Sequence, residues 1–94
     1  MSRHAAKVDA NQSALTEFAR AHGVQVVLTH RLPGFVDAVW SVRNCIALIE
    51  HKDIKGKLTK AQEKLHTELP VQLVRNEADA LGVINWLKQK ASEK

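Results

Sequence analysis

The chain is predicted to fold as a single α/β domain in the order α-β-β-β-α-β-α, with a mixed four-stranded sheet flanked by helices. Three observations predict it. Apolar and β-branched runs at residues 24–30, 37–42 and 45–49 are separated by turn residues. Stretches with helical apolar spacing and capping signals lie before and after them. The last short strand, residues 71–74, follows a helix rather than a turn, which requires a crossover and parallel pairing.

The 94 residues are 45% hydrophobic and 26% charged, the balance of a globular chain rather than a disordered one. No repeat, linker or low-complexity tract divides it. The expected unit is one domain over 1–94, with a core at about 9–87 and basic polar tails. A formal charge of +4 suits a polyanionic partner without identifying one. The single cysteine, Cys45, excludes an internal disulfide framework and fits a reducing compartment. No apolar run has the roughly 20 residues of a membrane span, and Met1-Ser2-Arg3-His4 leads into no signal-peptide core. The expectation is a soluble cytoplasmic domain.

Asp9 and Gln12 read as a capping-box relative that opens the first helix. Leu15, Phe18 and Ala19 give that helix its stripe, and Gly23 marks its stop. Residues 24–30 form a strand, which Pro33-Gly34 breaks. Residues 37–42 and 45–49 form a hairpin around Arg43-Asn44 and complete an antiparallel meander. The unbroken apolar run 45–49 reads as a central strand covered on both faces. Thr59 and Gln62 open the second helix in capping-box form, with Ala61, Leu65 and Leu69 on one face, and Pro70 ends it. Asn76 caps the last helix, which turns Ala80, Val83, Ile84 and Leu87 inward.

Asp37 begins one strand of the hairpin and Glu50 ends the other, so the tight turn brings the two carboxylates together. Unpaired carboxylates at that range repel, which a divalent cation relieves. Oxygen ligands with room for water and phosphate suit Mg²⁺ or Mn²⁺. Lys52, two residues beyond Glu50, shares its face. The main-chain carbonyl of His51 is the natural additional ligand. A cluster of Lys55, Lys57, Lys60 and Lys64 follows and could grip phosphates beside such a site, or be a solvated face.

Gly34-Phe35-Val36-Asp37, Ile49-Glu50-His51-Lys52 and Leu58-Thr59-Lys60-Ala61-Gln62 resemble the PD-(D/E)xK nuclease pattern, and more narrowly its VRR-NUC group, whose compact stand-alone members are common in phages and prophages. The resemblance runs from about Asp9 to Leu87 and includes Asn11-Gln12 at the first helix and Val74-Arg75-Asn76 at the last strand end. It implies Asp37 and Glu50 as metal ligands, Lys52 as the catalytic lysine and Gln62 as a glutamine reaching toward the site. Val36 stands where the family usually has proline. Ala14 stands where its first helix often has glutamate, which leaves Glu17 as the nearby acidic substitute for a further ligand. The implied activity is metal-dependent endonucleolytic cleavage of DNA. By likeness to Holliday-junction resolvases, it would be directed to branched DNA and carried out by a homodimer.

Plainer readings stand beside these. Asp37 after Pro-Gly suits a turn, Glu50 and Lys52 suit a solvated strand end, and Gln62 suits its capping box. His51 and His66 lack zinc spacing, and Trp40 and Trp86 read as core or interface anchors. The competing function is a nuclease-fold module that binds nucleic acid without cutting it.

Overall fold

The structure, a computed structural model, describes residues 10–32, 34–52 and 57–93. Asp9, Pro33 and Lys55, named above, lie outside them. The elements are α1 (Ala10–Ala21), β1 (Gln25–Leu28), β2 (Ala38–Val42), β3 (Cys45–His51), α2 (Lys60–Glu68), β4 (Val71–Val74) and α3 (Glu77–Ser92). The sheet runs β1-β2-β3-β4, with antiparallel pairs at β1–β2 and β2–β3 and a parallel pair at β3–β4. The predicted order and the mixed four-stranded sheet are both present.

Local chemistry explains the boundaries. Gly23 stops α1 at φ +86°, a left-handed conformation in which Val24 N–H reaches Ala19 O at 3.1 Å. Thr59 caps α2 through a reciprocal capping box, and the Asn76 side chain accepts from Asp79 N–H at 2.8 Å to start α3. Arg43 and Asn44 close the β2–β3 hairpin with φ of 48° and 72°. Two positive φ values in a two-residue loop are the signature of a type I′ turn, which favours Asn-Gly. An arginine held there is strained, so the double change Arg43→Asn and Asn44→Gly is expected to stabilise the protein by about 1 kcal/mol. The urea midpoint reads this, and an unchanged midpoint would refute it.

The core lies on one side of the sheet. Leu15 and Ala19 of α1, and Ala80, Val83, Ile84 and Leu87 of α3, pack on Trp40, Ala47, Ile49 and Val74. Alternation along β2 and β3 sends Val39, Ser41, Ile46, Leu48 and Glu50 to the opposite face. There the expectation of a strand covered on both faces fails: Ile46 is 57% exposed and Val27, in the same layer, is 62% exposed. The reason is the distribution of the helices. α1 and α3 pack together against the first face, whereas the nine-residue α2 buries none of its residues, Ala61 and Leu65 of its stripe included, and Leu69 just past its end is half-buried. α2 meets the open face at the C-terminal end of β3, where Glu50 Oε2 accepts from Gln62 Nε2 at 2.7 Å.

Candidate active site

That end of the open face is where the sequence-predicted residues converge. The segment entering β2 is fixed first. Gly34 takes φ +76°, Val36 is fully buried, and Thr29 donates its hydroxyl to Val36 O at 2.8 Å. Asp37 is then held from both neighbouring strands: Thr29 N–H donates to Asp37 O at 2.7 Å, and Asp37 N–H donates to Ile49 O at 3.0 Å. Its carboxylate accepts the His51 main-chain N–H at 2.8 Å. Thr29 is a positioning residue that sequence reasoning did not single out. Its only signal was a hydroxyl at the end of a β-branched run, a common turn preference.

Glu50 lies inside β3, not at its end, because the strand continues through His51. It is 2% exposed. Oε2 accepts from Gln62 Nε2 at 2.7 Å, while Oε1 is buried without a donor among the described residues. The Asp37 carboxyl is close enough for one hydrogen bond between the two acids when either is protonated. Burial foremost, then the Asp37 charge and this hydrogen bond, push the Glu50 carboxyl up to about 7, against the opposing pull of the Lys52 ammonium. Lys52 is half-buried and extends the parallel ladder by donating N–H to Val74 O at 3.2 Å.

Gln62 fills both roles that sequence reasoning set side by side. Its Oε1 accepts Thr59 N–H at 2.9 Å to complete the cap, which leaves Nε2 to donate to Glu50. The start of α2 is thereby tied to the acid pair through one side-chain amide. Gln62→Ala is expected to remove both bonds and destabilise α2 by about 1 kcal/mol. Hydrogen exchange should lose protection in α2 while α1 and α3 keep theirs. Uniform loss would refute local tethering.

The remaining predicted residues separate. The His51 ring turns to the helix-covered face, its centroid 6.2 Å from that of Trp40. Since Glu50 and Lys52 turn their main chains toward β4, the alternation of β3 directs the His51 carbonyl to the Asp37 side. Glu17 is not brought to the site: α1 packs on the other face of the sheet, and its carboxylate is exposed, 4.0 Å from Arg20. A stripe that places Leu15 and Ala19 on the core cannot also turn Glu17 to the opposite side of the sheet. Lys57, Lys60 and Lys64 are exposed on or just before α2. At about 3.6 residues per turn, Lys60 and Lys64 project from the side of the helix opposite Gln62, so they form an outer ridge and do not line the acid pair.

The donor set fits a hard cation. The Glu50 carboxylate lies close to a second carboxylate and keeps one buried oxygen without a donor among the described residues, so positive charge is wanted there, and the candidate protein ligands are oxygens. The protein side chains supply only part of a coordination shell. Among the described residues, no group of three or more His, Cys, Asp or Glu is placed to hold a metal. Two carboxylates would therefore need main-chain carbonyl, water or phosphate oxygens to complete the shell.

The chain matches no family model, and no curated protein or solved structure matches it at a significant level. Among the described residues, no helix is long and apolar enough to cross a membrane.

Proposed function

We propose that the chain is a Mg²⁺- or Mn²⁺-dependent endonuclease of the PD-(D/E)xK type, cleaving phosphodiester bonds in DNA. The observation that carries this reading is the Asp37–Glu50 pair, clamped by His51 N–H and Gln62 and leaving one buried carboxylate oxygen without a donor among the described residues. Asp37, Glu50 and the His51 carbonyl would hold the ion, which supplies positive charge to polarise the phosphate and acidify water. Lys52, on the Glu50 face, positions the attacking water and offsets the charge that develops on the phosphoryl oxygens. Gln62 keeps Glu50 oriented and fixes the start of α2 beside it. Lys57 lies on the approach to α2, and Lys60 and Lys64 on its outer ridge suit the sugar-phosphate backbone of a substrate that extends past the site.

The preferred substrate is branched DNA such as a Holliday junction, cut by a homodimer of cytoplasmic, phage or prophage origin. The sequence resemblance supports these finer assignments. The exposed Val27 and Ile46 give the open sheet face an apolar surface that a second copy could cover. The test is cleavage of labelled four-way junction, flap and linear duplex DNA with Mg²⁺, Mn²⁺ or EDTA. Cutting with either metal and none in EDTA is expected.

A second reading is a module that binds nucleic acid without cutting it. Its motive is the position of Glu17, which leaves only two acidic side chains at the described site. DNA binding without cutting under either metal would establish it in place of the nuclease.

A further inference from the structure

We infer that the groove between β4 and α3 binds an extended polypeptide segment carrying a lysine or arginine, taken up as a fifth strand on the free edge of β4. The groove encloses about 540 Å³, and neither Asp37 nor Glu50 lines it. Gln72 and Leu73 line one side, and Asp79, Gly82, Val83 and Trp86 line the other.

One side of the groove is a free strand edge. β4 ends the sheet, and its parallel ladder turns the main chains of Gln72 and Val74 toward β3. Leu73 therefore presents its N–H and C=O outward, beside the groove. An unpaired edge of this kind is a template for an added strand. The opposite edge is treated differently. On β1, the outward carbonyl of Val26 already accepts from Arg20 Nη2 at 3.3 Å. No side chain caps Leu73 among the described residues.

The other side is the exposed flank of α3. Gly82 sits in the middle of α3, where glycine weakens a helix, and a Cβ built there meets nothing within 4 Å. The fold itself does not need that glycine. Its missing side chain instead leaves the groove floor open to another main chain. One turn on, Trp86 is 44% exposed, an indole face available to an apolar or cationic side chain. Asp79, half-buried in the same wall, accepts Arg75 N–H through Oδ2 at 3.0 Å, and Glu77 precedes it in the first turn of the helix. On a chain of net charge +4, this local acidity beside an indole selects a cationic partner side chain.

The test uses the full chain and a short fluorescein-labelled peptide of alternating lysine and valine, with a glutamate-valine counterpart. Binding is followed by anisotropy and by amide shifts. The lysine peptide is expected to bind about tenfold or more tighter than the glutamate peptide, with shifts at Leu73, Gly82 and the Trp86 indole. Gly82→Gln fills the floor and improves helix propensity, so it should weaken binding about tenfold or more without lowering Tm. Asp79→Asn should abolish the preference for lysine. Absence of binding, undiminished binding by the Gly82→Gln protein, or shifts confined to other surfaces would each overturn the assignment.

Discussion

Asp37→Ala and Lys52→Ala are each expected to lower metal-dependent DNA cleavage by about 10³-fold or more, the scale of losing a main electrostatic contributor to a hydrolytic site. The two losses differ in origin, and the difference can be measured. Asp37→Ala removes one of the two proposed carboxylate ligands and leaves His51 N–H without the oxygen it donates to at 2.8 Å, so metal binding should fall together with cleavage. Lys52→Ala leaves both carboxylates in place, so metal binding should survive while turnover is lost. The ionisation of Glu50 separates the variants again. The Asp37 charge and hydrogen bond raise it, and Lys52 lowers it. Asp37→Ala should therefore bring the Glu50 titration down, and Lys52→Ala should push it further up, as read by carboxyl NMR shifts in metal-free protein. Full cleavage by either variant would remove the site from the proposed function, and shifts of the same sign would contradict the arrangement of the three groups.

The path from sequence to this site was uneven for physical reasons. Strand parity and a two-residue turn are local properties, so Arg43-Asn44 and the alternation of Glu50 with His51 were sufficient to place Asp37 beside Glu50 and to turn the His51 ring away. The capping signals at Thr59 and Asn76 were legible for the same reason. The covering of the sheet was not. An apolar run such as residues 45–49 records that burial is favourable for those side chains, but carries no information about which face the helices choose. α1 and α3 chose the same face, which left Ile46 exposed and removed Glu17 from the site. Gln62 was ambiguous because an amide has two ends: sequence spacing justified either the cap or the site, and only the fold shows Oε1 serving one and Nε2 the other. Thr29 was overlooked because its contribution depends on a contact with Val36 across a loop.

Glu50→Gln is expected to abolish the proposed cleavage and yet to stabilise the metal-free protein at alkaline pH. The carboxyl titrates at about 7 in the fold against 4.5 for the ordinary group, chiefly because burial disfavours its charge. Below about 4.5 it is neutral in both folded and unfolded chains and contributes no penalty. Between about 4.5 and 7 the unfolded chain releases its proton first, so stability declines as pH rises, and above about 7 the loss is complete. With bulk solvent moderating the electrostatics near the open end of the sheet, that loss should be about 1–3 kcal/mol. Glutamine is neutral throughout and still offers an oxygen to Gln62 Nε2. In EDTA, calorimetric Tm values of wild type and Glu50→Gln should therefore coincide near pH 4 and diverge by pH 8, with the variant higher. Saturating Mg²⁺ or Mn²⁺ should reverse the order, because binding to the wild-type carboxylates adds stability that the variant lacks. Below about pH 7, apparent metal affinity should rise roughly tenfold per pH unit, one proton leaving Glu50 for each ion bound. Tm curves parallel at every pH would mean that Glu50 folds without a penalty, whereas divergence without a metal response would leave a buried acid that serves something other than a cation.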